Sequence, residues 1–147
     1  MDVDINDSVS AASSAQSALR AIDGYFLEHE TVKGARAIIP IRVELGGLII
    51  EHLVSASITS SSEYDERNDL NLEWIPKHDA LYPAFRGTLH VSDHGAGSCR
   101  IEIRGSYTPP LGRPGAVLDA MLGRRVAHAT LLELLGRFRF RAEAAYR

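Results

Sequence analysis

Five stretches of this chain alternate apolar with polar residues, and one long stretch near its end repeats apolar residues every three or four positions. Strict alternation puts every second side chain on one face and predicts strands. From Ala35 to Leu45, Ile39, Ile41, Val43 and Leu45 share a face, with Arg42 and Glu44 opposite. Pro40 removes one ladder donor, which points to an edge strand or a bulge. Gly46-Gly47 is a two-residue hairpin signal. From Leu48 to Ser60, Ile50, His52, Val54, Ala56 and Ile58 form one face; Ile49, Glu51, Leu53, Ser55 and Thr59 form the other. Leu70, Leu72 and Trp74 alternate with Asn71 and Glu73 until Pro76 ends the run. After Pro83, Phe85, Gly87, Leu89 and Val91 oppose Arg86, Thr88, His90 and Ser92. The Asp93–Gly97 loop fits a hairpin before Arg100 to Tyr107, where Ile101, Ile103 and Tyr107 point one way and Arg100, Glu102, Arg104 and Ser106 the other.

Helical spacing governs both ends. Ala18, Leu19, Ile22, Tyr25 and Phe26 predict a helix over about 11–28. Over 124–146, Val126, Ala127, Thr130, Leu131, Leu134, Leu135, Phe138 and Ala142 make a broad apolar stripe. About 22 residues at 1.5 Å each give roughly 33 Å, enough to cross a sheet. Strands in succession with short turns form an antiparallel meander with one wet face, and the long helix covers the dry one. The expected architecture is α+β: a curved antiparallel sheet of at least five strands gripping a long C-terminal helix, with a cavity between them. Residues 1–16, rich in Ser, Ala and Asp, read as a flexible or weakly ordered lead-in with only a faint strand signal at Val3 to Ile5; 17–147 reads as a single domain.

Composition narrows the partners. The 147 residues fit one core, and a net charge of −3 gives no global field for nucleic acid. Arg124, Arg125, Arg137, Arg139 and Arg141 read as a solvated helix face. The single Cys99 reads as a small apolar filler and suggests a reducing, cytoplasmic compartment. The acidic start is unlike a secretory leader, and no apolar run approaches the ~20 residues of a membrane span. The sequence leaves a homodimer open.

The order of elements, with the phrase Gly105-Ser-Tyr-Thr-Pro-Pro-Leu-Gly112, then Gly115, Asp119 and Ala127-His-Ala-Thr130, resembles the helix-grip superfamily. This is the START-like, Bet v 1-like (SRPBCC) group that includes polyketide cyclase and lipid-transfer proteins. Trp74-Ile-Pro76 and Pro83-Ala-Phe-Arg-Gly87 are similar to strand motifs of bacterial members. The likeness spans roughly 35–146, and the usual first strand and helix look shortened or replaced. It implies binding of lipids, steroids, polyketides or plant hormones, with cyclase or hydrolase chemistry in some members and no shared catalytic motif.

Candidate chemistry is sparse. His90 and His94 straddle a glycine loop, and Glu28-His29-Glu30 are sequence neighbours that do not converge on one ion, so no metal is expected. Gly112-Arg-Pro-Gly115 lacks the lysine of a phosphate loop, and no cofactor is implied. His52 lies on a mostly apolar face and reads either as a polar group inside a pocket or as a core or surface histidine. Tyr107 can donate to a ligand from the sheet end, or brace the Pro109-Pro110 bend. The expected ligand-binding set is His52, Val54, Leu72, Trp74, Phe85, Leu89, Ile103, Tyr107 and Met121, with no catalytic residue assigned. The expected function is non-enzymatic binding or carriage of a small hydrophobic, lipid- or polyketide-like ligand. The alternatives are a small cyclase, dehydratase or hydrolase, and an interaction module whose interior its own side chains fill.

Overall fold

The computed structural model describes residues 3–30, 36–60, 69–76, 83–108 and 116–146. The elements run β1 (Val3–Ala11), α1 (Ala15–Glu28), β2 (Ala37–Leu45), β3 (Leu48–Ser60), β4 (Asp69–Pro76), β5 (Ala84–Asp93), β6 (Cys99–Thr108) and α2 (Ala116–Tyr146). All six strands join one antiparallel sheet in the order β1-β6-β5-β4-β3-β2, curled into a half-barrel. Pro40 falls on β2, an edge strand, where its missing donor faces no neighbour.

The N-terminal segment departs from the expectation. It is not a weakly ordered lead-in: β1 pairs with β6 along its whole length, from Val3 opposite Tyr107 to Ala11 opposite Cys99. Its alternation is masked by Asp7, which stands opposite Ile103. An edge position and two partners accommodate that carboxylate: Asp7 accepts from the backbone N–H of Ser8 at 2.8 Å and lies 3.5 Å from Nε2 of His128. The first helix begins at Ala15 rather than 11, because Ser14 caps it by accepting from the N–H of Ser17 at 3.2 Å. Asp93, at the end of β5, accepts from the N–H of Ala15 at 2.9 Å and ties the helix start to the sheet.

The sheet's apolar face curls around α2, which packs on β1 and β6 at one side, on β2 at the other, and on α1. Val126, Ala127, Leu131, Leu134, Leu135, Phe138 and Ala142 are its buried stripe. Against it lie Ile39, Ile41, Val43, Leu72, Trp74, Leu89, Ile101 and Ile103 from the sheet, and Ile22, Tyr25 and Phe26 from α1. Thr130 sits inside this stripe because its hydroxyl donates to the carbonyl of Val126, 2.7 Å away.

Candidate functional site

Strand register sorts the concave face into rows. Ala56, Trp74, Phe85, Tyr107 and Val3 stand side by side across β3, β4, β5, β6 and β1. Next come Ile58, Leu72, Gly87, Gly105 and Ile5, then Leu70, Leu89, Ile103 and Asp7. The glycine pair lets one ring lie flat on the sheet. A Cβ built on Gly87 or Gly105 would stand 2.7 or 2.9 Å from Cζ of Phe85. Phe85 in turn stacks on Trp74, centroids 4.4 Å apart and planes 16° from parallel, and the indole N–H donates to the carbonyl of Pro83 at 3.0 Å. Burial lifts the Tyr107 phenol above its ordinary pKa, against an opposing pull from the charge of Arg124. Tyr107 is therefore a neutral hydroxyl at physiological pH.

Among the clefts that the described residues line, two carry candidate polar groups. One, of about 930 Å³, lies between the β1–β6 edge and α2. Its described lining is Asp4, Ile5, Asn6, Arg86, Arg104, Gly105, Ser106, Arg124, Arg125 and His128. The other, of about 570 Å³, is lined by Pro40, Ile41, Arg42, Glu51, His52, Leu53 and Arg137. There Arg137 is held by α1 and by its own helix, donating to the hydroxyl of Tyr25 at 2.8 Å and to Glu133 at 3.1 Å. Among the described residues no group of three His, Cys, Asp or Glu side chains gathers as a metal site. No helix among them is long and apolar enough to cross a membrane.

No protein-family model and no curated protein matches this chain in sequence. Solved structures match it in shape. The Zhui aromatase/cyclase from a Streptomyces strain superposes with a TM-score of 0.69 over 100% of this chain and 97% of its own, at 8% identity. Norcoclaurine synthase from Thalictrum flavum gives 0.59 over 95% and 86%, at 14% identity. A START superfamily protein from Mycobacterium smegmatis gives 0.51 over 94% and 97%, at 12% identity. These are START/Bet v 1-like structures. The fold is the helix grip.

Within the helix grip, the residues singled out from sequence fall into two places. Val54, Leu72, Trp74, Phe85, Leu89, Ile103 and Tyr107 all face inward and are buried. Trp74, Phe85 and Tyr107 are brought into one row. His52 also faces inward but is not brought to Tyr107: it pairs with Ile41 at the edge of the sheet and lines the smaller cleft, with β4 and β5 standing between β3 and β6. The side chains of Met121 and Asp119 and the Pro109–Gly115 bend lie outside what the structure describes. Phe85 occupies the space above the Gly87–Gly105 pair.

The residues that sequence reasoning missed are those of the larger cleft. Arg124 and Arg125 read as part of one solvated run with Arg137, Arg139 and Arg141. The structure divides that run. Arg137, Arg139 and Arg141 pair with Glu133, Glu143 and Glu28, whereas Arg124 and Arg125, both exposed, line the larger cleft together with Arg86 and Arg104. The signal was present, since Arg86 and Arg104 alternate outward on neighbouring strands, but it needed β1 to connect it to the helix.

Proposed function

We propose that this helix grip binds a small hydrophobic molecule between the concave sheet face and α2, at the row formed by Trp74, Phe85 and Tyr107. The glycine notch is the observation that carries the reading. Gly87 and Gly105 supply a flat floor, and a single aromatic ring, that of Phe85, covers it. Exposing that ring costs about 3 kcal/mol at most, while a guest burying ~200 Å² of apolar surface gains about 5 kcal/mol at ~25 cal/mol per Å². The balance favours guests larger than one ring: fused aromatics or long alkyl chains. Leu72, Leu89 and Ile103 supply apolar walls, and the neutral Tyr107 hydroxyl supplies one donor. The likeness to an aromatase/cyclase and to norcoclaurine synthase supports a cupped interior suited to such guests. Cys99, buried and without a disulfide, supports a cytoplasmic setting.

A titration with Nile red, an uncharged probe, tests the reading. Saturable binding with one site per chain is expected, together with a change in Trp74 emission. Absence of binding would transfer the case to an interaction module with a filled interior. Tyr107 favours a second reading, a small cyclase or dehydratase, because a buried neutral phenol can donate a proton to a developing oxyanion. Native mass spectrometry of protein from its own host separates the two. A carrier releases its guest unchanged, whereas an enzyme converts it and Tyr107→Phe abolishes the conversion.

A further inference from the structure

We propose that the guest is an amphiphile with an anionic head, a carboxylate or phosphate monoester, and that the cleft between β1, β6 and α2 holds that head. This rests on the interior taking the apolar body. Four guanidinium groups, those of Arg86, Arg104, Arg124 and Arg125, line the cleft with Asp4 as the one carboxylate among its described residues. The contrast with a chain of net charge −3 is local and strong.

Neighbouring carboxylates offset these charges only in part. Glu73, which approaches Arg86 at 3.7 Å, is already held by Arg36 at 2.7 Å. Glu102 is shared by Arg104 at 3.2 Å and Arg100 at 3.5 Å. Arg124 and Arg125 pair with no carboxylate among the described residues, unlike the arginines further along α2. The charge of Asp7 is directed to His128 and to the Ser8 N–H. Planar guanidinium forks match the paired oxygens of a carboxylate or phosphate.

Arg86 and Arg104 reach the cleft from the outward face of the sheet and Arg124 and Arg125 from α2, and the cleft shares one backbone position with the tail site. Gly105 lines the cleft and also floors the notch beneath Phe85. The charge of Arg124 is felt at the Tyr107 phenol. On this proposal an anion held by Arg124 has its chain enter past Gly105 toward the buried Phe85–Tyr107 row.

The test is displacement of Nile red from the full chain by decanoate, decyl phosphate and 1-decanol, which share one alkyl chain. At least one anion is expected to displace the probe at about tenfold lower concentration than the alcohol, the worth of one charge-assisted hydrogen bond. An Arg124→Gln/Arg125→Gln double variant is expected to lose most of that preference, read against 1-decanol on the same variant, while keeping its Tm. Equal potency of all three compounds, or a preference that survives in the double variant, overturns the head site and leaves the apolar interior standing. Failure of Nile red to bind the unaltered protein overturns both.

Discussion

Gly87 and Gly105 face each other across β5 and β6 with no room for a side chain on either. A Cβ on Gly105 would stand 2.5 Å from the α-carbon of Gly87 and would also run into the carbonyl oxygen of Arg86. Both obstacles are backbone, so neither can swing aside. Gly105→Ala is expected to cost about 1–3 kcal/mol through overpacking and strand separation, read by urea unfolding. Gly136→Ala is the control. That glycine lies exposed on α2 with nothing near a Cβ, and alanine there should add up to about 1 kcal/mol of helix stability. Equal effects at the two positions would mean that the glycine pair is not a packing requirement.

Leu135 and Phe140 lie five residues apart on α2 and behave oppositely in burial. Leu135 is fully buried beneath the sheet, whereas Phe140 is 71% exposed. Leu135→Ala is expected to cost about 2–5 kcal/mol, from lost transfer energy and the cavity left behind. Phe140→Ala should stay within about 0.5 kcal/mol of the parent. Chemical denaturation of both variants decides whether α2 is docked in the register described.

The alternation of Ile39, Ile41 and Val43, of Leu72 and Trp74, and of Ile101 and Ile103 made β2 to β6 legible, because the inward positions, His52 apart, are apolar and the outward ones tolerate charge. β1 has the same period, with Val3, Ile5 and Val9 inward, but Asp7 interrupts it. A local pattern cannot show that a histidine from residue 128 will meet that aspartate. The aromatic row was legible as apolar residues, not as a row: Trp74, Phe85 and Tyr107 become neighbours only through register. The cationic cleft was less legible still, since its charges come from three elements whose meeting depends on β1.

That dependence makes β1 a sharp test. Removing residues 1–11 would strip β6 of its partner over nine residues and leave a long unpaired edge. The shortened chain is expected to lose its single cooperative unfolding transition or to self-associate, as seen by calorimetry and size-exclusion chromatography. A monomer with the parent's Tm would show that the segment is dispensable, as its composition alone suggested.

Alkaline stability carries a signature of the interior. Burial raises both the Tyr107 phenol and the Cys99 thiol, and the charges of Asp93 and Glu143 raise the thiol further. Each group is neutral when protonated, so the folded chain keeps a proton that the unfolded chain releases. Its stabilisation is complete below the unfolded pKa and is lost as pH rises through the folded one. The urea midpoint should therefore fall from about pH 8.5 upward for Cys99 and from about pH 10 for Tyr107. Tyr107→Phe is expected to flatten the upper part of that decline and leave the lower part. An unchanged profile would mean that the phenol is as hydrated in the fold as outside it.

Trp74 is the only tryptophan in the chain, and it is fully buried, stacked on Phe85 and hydrogen-bonded to Pro83. Its emission therefore reports directly on the ring above the glycine notch. Phe85→Ala removes that ring and should cost about 3–5 kcal/mol, leaving a void bounded by the indole, Gly87 and Gly105. Apolar voids of this kind stay dry and accept small aromatic guests. Benzene or indole is expected to bind the variant, to shift its Trp74 emission and to raise its Tm by mass action, with little effect on the parent. The parent, whose notch is already filled, should respond only to guests large enough to repay the displacement of Phe85. If small aromatics leave the variant's Tm and emission unchanged, the sheet has collapsed onto the notch. Phe85 then holds the fold open without marking the place of a guest.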